Sequence, residues 1–403
     1  MTEITAADST APATVRLKPK GDHRVGRGHP WIYANEVEMT AEARTLPPGV
    51  PVRFENAKGE LTGLGFFNPH SLICGRLLAR NARSPVDGAL LRERLQRALA
   101  LRERLVGGRH YRLVHAEADD LPGLIVDRFG DVVVAQPNCA GIERLWPELE
   151  AALAELLDPA AIVVSGDDGT RRLEGLEPAH RLASGSLDGP IRVEENGLAF
   201  LADPLGGQKT GWFFDQRENR RHIAGFSAGA RVLDAYCYTG GFALACARAG
   251  AAGVVALDRS AAALTLAEQA AGLNGLDACC RFRRSEVFQA LPQMAHAGEA
   301  FEVVIADPPA FAKSRKDAPA ALKGYAKLAR LAAMVTAPRG LLMLCSCSHH
   351  VGPEAFRDAV AHGVRNAGRE ARIVHQAGAG PDHPVHPFLP ESAYLKALIL
   401  ALD

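Results

Sequence analysis

The stretch RVLDAYCYTGGFALACARAG, Arg231–Gly250, decides the fold. An apolar run closes on Asp234, the turn Tyr238-Thr239-Gly240-Gly241 follows, and alanines dominate what comes next. This pattern reads as a buried strand, a tight turn and a helix. Open α/β sheets bind ligands at the carboxyl ends of their strands, where glycine lets backbone approach a ligand closely. The pyrophosphate-cradling GxGxxG pattern is absent, so a cofactor without phosphates is expected in preference to a dinucleotide.

Working outward, the same grammar repeats. GVVALD ends in Asp258, about twenty residues past the turn, where an acidic residue bonds ribose hydroxyls in this architecture. Asp258 also fits a helix N-cap, a reading that Ser260 makes possible. Asn274 closes the following helix and is expected near an adenine. FEVVIADPPAF brings Asp307 to a strand end, and Pro308 and Pro309 stiffen the backbone after it. D/N-P-P-Y/F is the signature of amino-directed methyltransferases, and related forms serve other base methyltransferases. In LLMLCSCSHHV, alternation puts Cys345 and Cys347 on one face, with Cys347 further out of the core. A thiolate there suits addition to carbon 6 of a cytosine, which makes carbon 5 nucleophilic toward a methyl sulfonium. Apolar β-branched runs alternating with Ala-rich helices predict a buried, mostly parallel sheet.

The rest of the 403 residues exceeds one ordinary core. Residues 1–12 read as a disordered tail and 13–82 as a small β-barrel of short strands broken by Gly, Pro and Asn. Residues 83–190 read as a central α+β module. It opens with a helix near 89–106 that carries Leu91, Leu95, Leu99 and Leu105 on its apolar face and arginines elsewhere. Residues 191–403 form the sheet domain, opening with a hairpin that turns at Glu195-Asn196-Gly197. Apolar residues make up 47% and charged residues 23%, as in ordinary globular proteins. No apolar run reaches the roughly 18–20 residues of a membrane span, and no signal peptide is evident, so a cytoplasmic protein is expected. The cysteines and histidines show no metal-ligand spacing, and no metal is expected. The formal net charge is zero, so any nucleic-acid footprint must be local. Two basic groups qualify as phosphate contacts: Lys18, Lys20, Arg24 and Arg27 at the front, and Lys313, Arg315 and Lys316 just after the Pro-Pro loop. Trp31, beside the first group, is expected in the barrel core.

These motifs together resemble the bacterial class I ribosomal-RNA methyltransferases of the large-subunit methyltransferase I type, from about residue 14 to the end. The most specific match is GGQKTGWFFDQRENR, Gly206–Arg220, which is similar to the family's GxKTGxxxDQRxNR block. DAYCYTGGF, DPPAFAKS and SCSHHV are similar to its cofactor loop and its motifs IV and VI. RLKPKGDHRVGRGHPWIYANEV resembles its PUA domain, AEADDLPGLIVDRFGD its central domain and DHPVHPFLPESAYLK its closing segment. The resemblance implies an α/β fold: a Rossmann-like methyltransferase domain preceded by a PUA β-barrel and a small α+β domain. It implies S-adenosyl-L-methionine as cofactor, held by Gln208, Lys209, Thr210, Asp215, Gln216, Arg217 and Asn219 together with Asp234, Tyr238, Thr239, Gly240, Gly241, Asp258, Asn274, Glu286 and Asp307. Glu286 stands where an aspartate is more usual. The family makes 5-methylcytosine in 23S rRNA, with a cysteine aligning with Cys347 as nucleophile and Asp307 bonding the base edge. The implied partner is 23S rRNA or a large-subunit precursor, and the family tends toward homodimers.

Two other readings stay open at this stage. The same fold can methylate a guanine without a cysteine nucleophile, and a degenerate copy can serve as a non-catalytic RNA-binding assembly factor.

Overall fold

A computed structural model describes residues 12–80, 85–207, 210–312 and 314–403. The decisive stretch forms strand β1 (Arg231–Ala235) and the helix Gly241–Arg248. It is followed by β2 (Gly253–Asp258), β3 (Cys280–Arg284), β4 (Phe301–Ala306), β5 (Thr336–Ser346), β6 (Ala371–Ala377) and β7 (Lys396–Leu402). These seven strands form one sheet in the order β3-β2-β1-β4-β5-β7-β6. The strands from β3 to β5 run parallel, and β7 inserts antiparallel between β5 and β6. Strand order reverses between β1 and β4, so a crevice opens at their carboxyl ends. Val232, Ile305 and Met343 belong to the core on one face of the sheet, while Leu233, Val304 and Leu342 belong to the core on the other. Burial on both faces explains why these runs show no polar alternation.

The hairpin Ile191–Glu195 with Leu198–Ala202 turns through Asn196 (φ 53°) and Gly197 (φ 75°), the two positive φ values of a type I′ turn. Its Glu195 is buried and accepts from Arg220 Nε at 2.6 Å, Arg220 Nη2 at 2.8 Å and Trp212 Nε1 at 3.2 Å. A buried charge so saturated pins the hairpin to the sheet domain.

Ahead of it, five strands between His110 and Gly185 form the central sheet, in reverse sequence order. All its neighbours are antiparallel except Val132–Pro137 and Ala161–Ser165, which the helices Ala140–Arg144 and Trp146–Leu157 connect. The helix Gly88–Leu105 corrects the expected apolar face. Leu91 and Leu95 are buried, but Arg94 and Arg102 join them while Leu105 is exposed. Arg102 is wholly buried because Asp119 takes its guanidinium in a bidentate pair at 2.6 Å, and the Arg112 and Asp382 carbonyls take two more donors.

The front sheet curls as Ala13–Arg16, Val50–Glu55, Leu61–Phe67, Gly75–Ala79 and Trp31–Ile32 in spatial order, and a bridge between Leu17 and Val37 brings its edges together. Trp31 is half-buried, outside that sheet's core cluster, and donates its indole N–H to Glu117 of the central module at 2.8 Å. The expectation of a core residue fails because the ring sits between modules, where its polar atom finds a carboxylate. We propose 13–82, 83–190 and 191–403 as the three domains. The expected tail falls mostly outside the described residues.

Candidate active site

The turn after β1 is held open by unusual backbone. Tyr236 (φ 68°), Tyr238 (φ 49°) and Gly240 (φ 83°) all lie in the left-handed region. Only at Gly240 is this conformation inexpensive, and a Cβ there would come 3.1 Å from the Cβ of Ala267. The two tyrosines need outside support. Part of it comes from Asp258 at the end of β2, whose Oδ2 accepts from the Tyr238 backbone N–H at 3.0 Å and whose Oδ1 accepts from Ser260 N–H at 2.8 Å. Ser260 is itself the N-cap of the next helix, accepting from Ala263. Asp258 therefore clamps two turns together while lining the crevice.

Asp234 is fully buried beneath this turn. Its Oδ2 accepts from Ala243 N–H at 2.9 Å, and among the described residues Oδ1 has no partner. Burial pushes its carboxyl up to about 8.

At the end of β4, Asp307 accepts from Gln216 Nε2 at 2.9 Å. The Gln216 carbonyl in turn accepts from Asn219 Nδ2 at 2.6 Å, and Asn219 also reaches the Gly378 carbonyl. Asp215, one residue earlier in the chain, accepts from the Tyr394 hydroxyl at 2.6 Å. Past β5, Cys347 is partly exposed and lines the same cavity, whereas Cys345 is fully buried and its thiol is pushed well up by burial, with Asp307 adding to the effect. This difference follows from position: Cys345 still pairs with Ala397 within the sheet, and Cys347 lies beyond its edge.

The crevice has a volume of about 370 Å³. Asp215, Gln216, Tyr238, Thr239, Gly241, Asp258, Glu286, Asp307 and Cys347 all line it. Sequence reasoning missed a second set: Phe213, Tyr236, Val287, Phe288 and Phe311 supply an apolar slot beside the carboxylates. Tyr394 supports the site through Asp215. Alternating polar and aromatic residues around the strand-end motifs were the available signal, in Phe213 before Asp215 and Phe288 after Glu286.

Other expected residues lie elsewhere. The Asn274 amide is turned away from the crevice, tied to the Ala199 N–H and carbonyl of the hairpin at 3.0 and 2.6 Å. This corrects the expectation of an adenine contact: Asn274 caps its helix and docks a neighbour. Arg217 does not reach the crevice either, because it donates to the His110 carbonyl and lies over Phe214. Thr210 is buried with its hydroxyl on the Trp212 carbonyl, and Asn219 acts only through Gln216. Gly240 shapes the turn without lining the cavity. Gln208 and Lys209 lie outside the described residues.

Of the proposed phosphate contacts, Lys18, Lys20, Arg27, Arg315 and Lys316 are exposed, and Lys313 is outside the described residues. Arg24 is engaged by Glu36 at 3.1 Å and stacks over Tyr33. Among the described residues, no helix is long and apolar enough to cross a membrane.

Fold and crevice together define a Rossmann-like methyltransferase of the S-adenosylmethionine-dependent class. The family model described as S-adenosylmethionine-dependent methyltransferase matches residues 177–401, and a PUA-like domain model matches residues 15–80. Proteins named ribosomal RNA large subunit methyltransferase I from Shewanella denitrificans and Tolumonas auensis are each 35% identical, covering 96% of this chain and 98% of their own length. A crystal structure of a protein complexed with SAH superposes with a TM-score of 0.83 at 19% identity, covering 96% of this chain and all of that one. The chain belongs to the ribosomal RNA large subunit methyltransferase I family within that class.

The residues present fit the family's cofactor, S-adenosyl-L-methionine. Asp258 and Glu286 offer acceptors to hydroxyl and amino groups, the aromatic slot suits a flat base, and the described residues leave the buried Thr239 Oγ1 and Asp215 Oδ1 without partners. An acidic lining also suits a cationic sulfonium and ammonium.

Proposed function

We propose that this enzyme methylates carbon 5 of a cytosine in 23S ribosomal RNA, in the cytoplasm, with Cys347 as nucleophile. The carrying observation is that Cys347 and Asp307 line one cavity at adjacent strand ends, β5 and β4, beside the carboxylates fitted to the cofactor. The names of the relatives, which specify the large ribosomal RNA, support the substrate class.

In this reading Asp307 accepts from the exocyclic amino group and holds the base edge, with its own orientation set by Gln216. The Cys347 thiolate adds to carbon 6, and the electron pair released toward carbon 5 takes up the methyl group. The bound cofactor supplies that methyl group as an electrophile. A base then removes the carbon 5 proton, and the electrons of the carbon–hydrogen bond expel the thiolate. Exposed Arg315 and Lys316 flank the Asp307 loop and serve as phosphate contacts, and Lys18, Lys20 and Arg27 serve as others at the front. Such a cavity admits only a base taken out of a stack.

The test is methyl transfer from labelled S-adenosylmethionine to unmodified 23S rRNA, with nucleoside analysis of the product. Wild type should yield 5-methylcytosine and Cys347→Ala none. A methylguanine, or full activity in Cys347→Ala, overturns the reading.

A further inference from the structure

Lys396 is a buried ammonium that the mechanism above does not use. It opens β7 directly opposite Ser346, the last residue of β5, so it sits where the chain leaves the sheet toward Cys347. It is 8% exposed, and its Nζ donates to the Ser348 and Tyr394 carbonyls, each at 2.7 Å. The first of these acceptors is one residue past Cys347. The same turn is fixed from the other side: Ser348 Oγ accepts from Ala312 N–H at 3.3 Å and shares a hydrogen bond with the Tyr325 hydroxyl at 2.8 Å.

Two carbonyls satisfy two of the three ammonium protons but neutralise none of its charge. Among the described residues no carboxylate pairs with it, a buried cation without a counter-charge is costly, and a neutral donor would serve a purely structural tie as well. Burial pulls the Lys396 amine down to about 8, and the nearby Cys347 acts in the opposite direction. We propose that Lys396 is a positioning residue whose ammonium holds the Cys347 turn in place and acts as counter-charge to the Cys347 thiolate, lowering the pH at which the nucleophile forms.

Among the described residues, the charged groups lining the cavity with Cys347 are mostly acidic. Asp307 and Asp215 line the same cavity, as do Asp258 and Glu286, while Arg220 in the lining is already paired with Glu195 and Arg259 also lines it. Tyr394, Tyr325 and Cys345 each interact electrostatically with Cys347, and His349 stacks on Tyr394.

The inference rests on the reading of Cys347 as nucleophile, but its test does not require RNA. The rate of Cys347 alkylation by iodoacetamide, followed by peptide mass spectrometry across pH 5–10, gives the thiolate midpoint in the intact protein. Wild type should titrate below a free thiol. Lys396→Gln, which removes the charge and keeps a neutral N–H donor, should raise the midpoint by about a unit or more, a tenfold loss of reactivity below it. Lys396→Arg should restore most of the shift. A wild-type midpoint at or above about 8.5 overturns the proposal without any variant, and so does an equal midpoint in wild type and Lys396→Gln. Loss of activity in Cys347→Ala tests the nucleophile separately, so the two ideas can fail independently.

Discussion

Gln216 donates its side-chain N–H to Asp307 Oδ2 at 2.9 Å, and its own carbonyl is held by Asn219 at 2.6 Å. The second bond decides the first, because an amide anchored through its oxygen has only its nitrogen left to present. Asp307 is thus oriented by a two-residue relay rooted in the polypeptide at the Gly378 carbonyl. Gln216→Ala should lower kcat about 10–100-fold, the cost seen when an outer partner of a working group is removed. Asn219→Ala should cost less and leave the affinity for S-adenosylmethionine within about twofold. Single-turnover methyl transfer and calorimetric titration check both.

Asp258 bonds the backbone of two turns and lines the crevice, whereas Glu286 lines it from the position preceding a helix and makes no cap bond of its own. Asp258→Ala should therefore lose both cofactor affinity and thermal stability. Glu286→Ala should weaken cofactor binding by about tenfold, the scale of one hydrogen bond to a charged group, with little change in Tm. Titration calorimetry and thermal melting side by side separate the two.

Asn274→Ala makes the opposite prediction. Its amide ties the hairpin at Ala199 and stays outside the crevice, so cofactor affinity should hold within about twofold. Removing those partners should destabilise the protein by about 1–3 kcal/mol, read as a lower melting midpoint. A tenfold loss of affinity with an unchanged melt would contradict the geometry.

Asp234 carries a pH signature. Its carboxyl is raised by burial to about 8, above its ordinary 3.8, so the folded protein keeps a proton that the unfolded chain releases. The stabilisation is complete below about pH 4 and is lost as pH rises toward about 8, with a slope of at most ~1.4 kcal/mol per pH unit. Asp234→Asn stays neutral throughout, so its stability relative to wild type should improve steadily from pH 5 to pH 8. A difference that stays flat, or runs the other way, would contradict a protonated Asp234.

What the sequence made legible is what lies on strand ends. Asp258, Asp307 and Cys347 each follow an apolar run, and a parallel sheet delivers all such positions to one edge whatever the details. The hairpin turn was legible because Asn-Gly is chosen by φ alone. Side-chain direction was not legible. Nothing local distinguishes Asn274 bonding a hairpin from Asn274 meeting a ligand, since the hairpin lies some 75 residues away in the chain. Arg102 read only as one of the arginines off the leucine face, because its partners, Asp119 and the Asp382 carbonyl, come from segments 17 and 280 residues distant. Trp31 read as core because an indole is mostly apolar, yet its one polar atom determined its place. Lys396 read as part of a closing motif, and only strand pairing puts it beside Cys347.

The buried cluster joining the front barrel to the central module has a further consequence. Arg76 pairs at 2.9 Å with both Glu117 and Glu174, Trp31 shares Glu117, and Asn68 and Ser71 complete the set around Glu174. Charges so interlocked resist separation, because pulling the modules apart would break several charge-assisted hydrogen bonds at once. The barrel therefore does not hang on a tether. It is docked on the central module through these bonds, and they fix where the two stand relative to one another.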